Sequence, residues 1–384
     1  MKCRALALVA AIVSSGFGAG NQEQTLRQAA QGTGILIGTA VRPAQFSEAA
    51  YTSTLAREFN MVEPEDALKW DTIHPEPESF DFAQGDLVID FAIRHNMKVR
   101  GHTLVWHKQN PKWLTRGKYS PEQLAQILET HIKTVVAHYR GKVFAWDVVN
   151  EAFDELHPGA LRNTIWRNQP GIGKMPPDQS SARSYSYIEQ CFRWTHEADP
   201  QALLFYNEAE AETVNPKSDA IYAMVRDFRK RGVPIDGVGF QMHISDLHPD
   251  IASISANIGR FTALGVQVHI TEMDVALPAD AEGNARLEDL QLQADIYRKI
   301  AQACLSHPGC TAIQTWGFTD KYSWIGSHSK QSRGAALLFD RNYRAKPAHE
   351  ALRNALQYAK SRLSMVPVVS DPIRSSNSRE PQTT

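Results

Sequence analysis

Two acidic residues stand at the ends of β-branched runs. Val148-Val149-Asn150-Glu151 is one run, and Val268-His269-Ile270-Thr271-Glu272-Met273-Asp274 is the other. Val, Ile and Thr favour extended backbone, so each glutamate falls where a strand gives way to a loop. If both strands belong to one parallel barrel, their ends open on a single face, where catalytic residues gather. Two carboxyl groups facing each other across a cleft can hydrolyse a glycosidic bond, one as acid and the other as nucleophile or as base for water. A general acid must keep its proton near neutrality, whereas an ordinary Glu titrates at ~4.3. Burial and the charge of the second carboxylate are expected to raise Glu151. His243 ends the neighbouring run and is expected to donate to Glu272 and keep it ionised, while Asp274 fixes the tautomer of His243. Any one of these residues alone reads more simply as a strand-end salt-bridge partner. The whole set at successive strand ends does not.

The elements that must position them recur along the chain. Apolar, β-rich runs alternate with longer amphipathic stretches. The predicted strands are Ile35–Val41, Phe59–Val62, Lys98–Leu104, Phe144–Val149, Leu203–Asn207, Gly237–Met242, Val266–Thr271 and Ala312–Gly317. Helical segments between them include Ser47–Glu58, Pro121–Tyr139, Ser184–Glu197, Pro216–Arg231 and Leu287–Leu305. Ser47 is the expected N-cap of the first. Ser120 before Pro121, with Gln123 in the capping-box place, opens the second. Eight strands alternating with helices predict an α/β fold, a single (β/α)8 TIM barrel. No Gly-rich turn follows the first strand, which argues against an open dinucleotide-binding sheet. Asn163–Ser181, dense in Pro, Gly and Asn, reads as a long loop after the fourth strand.

The 384 residues are ample for one large barrel. Net charge is −1 and the Lys and Arg residues are interspersed with acids, so no basic field points to nucleic acid or anionic lipid. Lys2 and Arg4, the apolar run Ala5–Val13 and the small residues of Ser14–Gly20 match a secretory leader, too short to span a bilayer. The expected organisation is therefore a leader over 1–20, a catalytic domain over 21–364 and a disordered tail over 365–384. Secretion, to the medium or the periplasm, follows from the leader. Cys3 leaves with it. Cys304 and Cys310 flank a loop-like segment and are expected to pair as a short disulfide in an oxidising compartment. Cys191 is expected to be a buried free thiol. Eight Trp offer flat indoles for stacking on sugar rings, although Trp is also a core residue. His102 and His107 are five apart, and no HExxH, paired CxxC, GxSxG or phosphate-loop motif occurs, so neither a metal nor a cofactor is expected.

Six strings in fixed order make the chain resemble family 10 of the glycoside hydrolases, the endo-β-1,4-xylanase family. They are PEDALKW (Pro64–Trp70), RGHTLVWH (Arg100–His107), WDVVNEA (Trp146–Ala152), GFQMHI (Gly239–Ile244), ITEMDV (Ile270–Val275) and TWGFTDKYSWI (Thr315–Ile325). The resemblance implies a (β/α)8 barrel acting on xylan and xylooligosaccharides with retention of configuration, without cofactor and as a monomer. It implies Glu151 as acid/base, Glu272 as nucleophile and Asn150 on the sugar 2-OH. It also implies Glu65, Asp66, Lys69, His102, Trp106, Gln109, Asn207 and Gln241 as substrate-binding positions, with Trp316 and Trp324 cradling the sugar at the cleavage point. Three positions depart from the family pattern. Asp66 stands where Asn is usual, which replaces an amide donor with an acceptor-only carboxylate. Met242 stands where a small polar residue is more common. Glu208 stands where Asp is usual and is expected at the rim beyond the scissile bond.

Two other readings share part of this pattern. A β-glucanase would share the Asn-Glu and the second glutamate, but the strings around Lys69 and His102 favour xylan. A non-catalytic carbohydrate-binding barrel would be expected to lose one of the two glutamates, and both are present.

Overall fold

The computed structural model describes residues 24–167 and 185–365. The expected leader and most of the expected tail and long loop lie outside those residues. The final helix, Pro347–Met365, ends one residue into the segment expected to be disordered.

Eight parallel strands close into a barrel. They are β1 (Leu36–Val41), β2 (Met61–Pro64), β3 (Lys98–Gly101), β4 (Ala145–Asn150), β5 (Leu203–Glu208), β6 (Gly237–Phe240), β7 (Gln267–Val275) and β8 (Cys310–Thr315). Each pairs with the next in chain order, and β8 closes the ring by pairing with β1, Leu36 opposite Ala312. A two-residue strand, His243–Ile244, extends the edge beyond β6 and pairs with Asp274 and Val275. The strands are almost wholly buried, as β-branched runs covered by helices outside and by one another's side chains inside should be.

Strand positions agree with expectation to within a few residues, and the differences collect at the C-terminal ends. β3 stops at Gly101, three residues before the expected Leu104, because the chain turns into the site at His102. β7 runs four residues past Thr271, to Val275, and so carries Glu272 and Asp274 inside the sheet. Among the helices, Pro216–Arg231 and Leu287–Leu305 have the expected limits. Ser120 and Gln123 form the reciprocal capping box of the helix Pro121–His138. Ser47 does not cap its helix. Pro43–Ser47 forms a tight 3-10 turn, and Glu48 takes the cap position without a side-chain bond. Cys304 and Cys310 are joined, tying the end of the helix Leu287–Leu305 to the start of β8, and Cys191 is a buried free thiol.

The barrel interior beneath the site is polar. Arg100 is fully buried; its guanidinium pairs with Asp147, lies 2.8 Å from His269 Nδ1 and stacks 4.6 Å from the Phe205 ring. Asp147 in turn lies 3.0 Å from His102 Nδ1. The cluster is charged but internally paired, and removing one partner would leave an uncompensated charge costing about 3–5 kcal/mol. It fixes the floor on which the site stands. No described helix is long and apolar enough to cross a membrane.

Candidate active site

Glu151 and Glu272 line one open cleft of about 540 Å³ at the C-terminal ends of the strands. Glu151 directly follows β4 and adopts a left-handed backbone (φ 53°), which turns the chain sharply out of the sheet. Its Oε1 accepts from Gln241 Nε2 at 3.1 Å and its Oε2 from Trp106 Nε1 at 2.9 Å. Lys108 Nζ and His107 Nδ1 lie 3.8 and 3.9 Å from the same Oε2. The expectation that Glu151 is raised is corrected here. Burial does push it up, but the two donors, with Lys108 and His107 behind them, outweigh that and hold the carboxyl below its ordinary range. His107 is itself pushed down to about 4, chiefly by burial and then by Arg162.

Glu272 sits in a different environment. Its Oε1 accepts from Asn207 Nδ2 at 2.7 Å, and its Oε2 lies 3.1 Å from His243 Nε2. His243 Nδ1 lies 3.0 Å from Asp274 Oδ2, which also accepts from Trp324 Nε1 at 2.8 Å. Burial works against the imidazolium, yet Asp274 and Glu272 outweigh it and lift His243 well above its usual range. The expected relay from Asp274 through His243 to Glu272 is thus present as geometry. The two glutamates are joined by a chain of amides. Gln241 Nε2 lies 3.3 Å, and Asn207 Nδ2 2.9 Å, from the side-chain amide of Asn150.

Of the expected substrate-binding residues, Glu65, Asp66, Lys69, His102, Trp106, Gln241, Trp316 and Trp324 line this cleft together with Asn150. Lys69 Nζ sits 4.8 Å from the Trp106 ring and 5.6 Å from the Trp316 ring, so the cation spans two indoles. The Asp66 carboxylate is taken up by protein donors, at 3.1 Å from Lys69, 3.2 Å from Arg42 and 3.4 Å from Gln109. Gln109 therefore braces Asp66 from behind the wall.

Asn207 requires correction. It is fully buried, its amide is spent on Asn150, Glu272 and Thr271, and it braces Glu272 without facing the cleft. Gly239 makes room for it, since a Cβ there would meet Asn207 Oδ1 at 2.1 Å. Glu208 is also misplaced by expectation: it is fully buried behind Glu151 and forms no part of the rim. Met242 is buried in a left-handed conformation (φ 66°), and its amide donates to Glu212 Oε1 at 2.9 Å.

The sequence reading missed Arg42, Lys108, Glu155, Glu210 and His328, which complete the lining. Arg42 follows β1 directly, so the strand-end rule would have found it; its Nη2 lies 2.5 Å from Glu65 Oε1. The others sit on loops or on the short helix Ile325–His328, with no local signal. Beneath the cleft, oxygens and a ring nitrogen of Glu63, His102 and Asp147 lie within 4.8 Å of one another, a spacing that could suit a metal. Arg100 already supplies the cation to Asp147, and burial with Asp147's charge pushes Glu63 well up toward its protonated form. That donor set is poorly suited to a divalent ion.

Comparison with known proteins agrees with this arrangement. The profile described as Glycosyl hydrolase family 10 matches residues 25–355. The chain is 43% identical over 341 residues to Endo-1,4-beta-xylanase B of Thermotoga neapolitana, covering 88% of this chain and 93% of that one. It is 38% identical over 306 residues to Beta-1,4-xylanase of Dictyoglomus thermophilum, covering 78% and 82%. Native xylanase 10B from Thermotoga maritima superposes with a TM-score of 0.80 at 42% identity, over 88% of this chain and 99% of that one. With its barrel, paired glutamates and profile match from residue 25 to 355, the chain belongs to Glycosyl hydrolase family 10.

Proposed function

We propose that this protein is a secreted, retaining endo-1,4-β-xylanase that acts as a monomer on xylan and xylooligosaccharides. The observation that carries the reading is the pair Glu151 and Glu272 in one cleft, joined by an amide chain yet held by different partners. Glu272 attacks the anomeric carbon while Glu151 protonates the departing oxygen, giving a glycosyl-enzyme. Glu151 then takes a proton from water, which attacks and frees the sugar. Retention requires carboxyl groups about 5 Å apart. Because donors hold Glu151 low in the free enzyme, substrate binding must raise it before the carboxyl can keep a proton taken from solvent. A bound sugar displaces water from around the carboxyl and competes for the Trp106 and Gln241 donors, and both effects raise it.

Asn150 and Gln241 offer amides to the sugar hydroxyls, and Trp316 and Trp324 offer stacking faces. Similarity to named xylanases supports xylan as substrate. The leader-like first 20 residues and the disulfide, which suits an oxidising compartment, support secretion.

The test uses Glu272→Ala and Glu151→Ala on xylan, on carboxymethylcellulose and on aryl xylosides. Xylan should be cut in preference to carboxymethylcellulose. Glu272→Ala should lose turnover on every substrate. Glu151→Ala should fall about 10²–10⁴-fold on xylan but retain activity on aryl xylosides whose leaving group needs no protonation. Equal loss on both kinds of substrate would overturn the assigned roles.

A further inference from the structure

Directly behind Glu151 lies a buried carboxyl that the reaction described above does not use. Glu208, at the end of β5, is fully buried, as is Tyr206 two residues earlier on the same face of the strand. Tyr206 donates its hydroxyl proton to Glu208 Oε2 at 2.5 Å and accepts the Ala152 N–H at 3.0 Å. The same Glu208 oxygen accepts the Phe153 N–H at 3.2 Å. The other oxygen accepts the Ala209 N–H at 3.2 Å and lies 3.7 Å from Lys217 Nζ, whose proton goes to the Ala209 carbonyl at 3.0 Å.

Both backbone amides that follow Glu151 therefore end on this pair. Glu151 occupies a left-handed conformation that is strained for a side-chain-bearing residue and persists only where the surroundings over-determine it. Its own N–H bonds the Asn207 carbonyl at 3.0 Å and its carbonyl accepts from Arg162 at 3.3 Å. The amides of Ala152 and Phe153 go to Tyr206 and Glu208, and the carbonyls of the same two residues accept from the Arg162 N–H at 2.8 Å and from Arg162 Nη2 at 3.1 Å.

We propose that Glu208 and Tyr206 are positioning residues for Glu151: by pinning the next two amides they hold the strained turn that aims its carboxyl at the glycosidic oxygen. The proposal rests on Glu151 being the acid/base. Burial, joined by the charge of Glu151 and opposed by Lys217 and Tyr206, pushes Glu208 up to about 8. Gln is the replacement that keeps the shape and one acceptor oxygen for Tyr206 and Phe153.

A positioning role has a kinetic signature that general destabilisation lacks. Misplacing the acid penalises substrates in proportion to how badly their leaving group needs a proton. Aryl β-xylobiosides spanning phenol to dinitrophenol leaving groups, assayed as kcat/KM, read this as the slope against leaving-group pKa. Glu151→Ala sets the slope for complete loss of the acid. Glu208→Ala and Tyr206→Phe should each steepen the slope toward that limit, with loss of about 10- to 100-fold on the poorest leaving group and little on the best. Glu208→Gln should keep the wild-type slope.

If Glu151→Ala steepens the slope but Glu208→Ala and Tyr206→Phe lower every substrate equally, or none, the inference fails and Glu151 keeps its role. If Glu151→Ala itself leaves the slope unchanged, the acid/base reading fails and the inference falls with it. Should Glu208→Ala not fold, Tyr206→Phe decides alone, because it removes one hydroxyl and leaves the volume nearly unchanged.

Discussion

Lys108 illustrates how the Glu151 carboxyl is tuned residue by residue. Its ammonium lies 3.8 Å from Glu151 Oε2, and the side chain is 54% exposed. A nearby cation favours the ionised carboxyl, so removing it must raise Glu151. Since the proposed mechanism needs Glu151 protonated, the alkaline limb of kcat/KM in Lys108→Met should move to higher pH. Solvent screens the pair, so the shift should be about a few tenths of a pH unit and should shrink as salt rises. A move to lower pH would mean that Lys108 acts on something other than Glu151. The two glutamates and His243 were legible as strand-end residues, whereas most of the lining was legible only through the resemblance to family 10. The direction of Glu151's shift was not. Burial was foreseeable from a hydrophobic run, but the donors that outweigh it arrive from residues 106 and 241, far off in sequence. Asn207 and Glu208 were misjudged for a related reason. Strand-end residues face either the cleft or the wall behind it, and which of the two holds depends on the neighbouring strands and helices, which the strand's own sequence does not specify.

At the scale of elements, the indole Trp324 depends on a long excursion between β8 and the last helix. That excursion is anchored from outside the barrel by the helix Leu287–Leu305. Gln293 donates to the carbonyls of Val275 and Ala335 at 2.8 and 2.6 Å, and Tyr297 donates to that of Ala336 at 3.0 Å. Lys346 gives Ala335 a second donor at 2.6 Å. Gln293→Ala therefore removes the donor from Val275 while Ala335 keeps one. The expected cost is about 1–3 kcal/mol, seen as a lower melting temperature. The loosened excursion should raise KM for xylooligosaccharides more than it lowers kcat. A fall in kcat alone, at constant KM, would contradict this account. The helix itself was legible to the residue, because its apolar spacing is continuous. The excursion was not. Its helix has four residues and its strand Arg333–Gly334 has two, paired antiparallel with Leu277–Pro278 beyond β7, too short to leave a period in the sequence.

The whole molecule divides its labour between the two ends of the barrel. The cleft occupies the C-terminal ends of the strands, while both ends of the described chain meet at the opposite side, on Glu58. Glu58 closes the helix Ala49–Glu58 just before β2. Its Oε2 accepts the Leu26 N–H at 3.0 Å and lies 3.2 Å from His349 Nε2, near the start of the last helix; its Oε1 pairs with Arg57 at 2.9 Å. Arg27 adds bonds to the carbonyls of Ala56, Phe59 and His95 at 3.0–3.3 Å. One buried carboxylate thus fastens the first helix to the last and closes the ring mechanically. Burial alone would raise Glu58, but the His349, Leu26 and Arg57 bonds outweigh it and hold the carboxyl below its ordinary range. A depressed carboxylate stabilises the fold fully above its unfolded value of ~4.3, and that contribution fades as pH falls through the lower folded value. Glu58→Gln keeps the acceptor for Leu26 but loses the charge, so at pH 7 it should cost about 1.5–3 kcal/mol, a drop of several degrees in melting temperature. The gap between Glu58→Gln and wild type should narrow below the ordinary carboxylate range, where the wild-type group also loses its charge. Turnover on xylan at 25 °C should stay unchanged, because the clamp and the cleft lie at opposite ends of the same strands. A melting-temperature gap that stays constant into strong acid would show that Glu58 holds the chain ends by shape and not by charge.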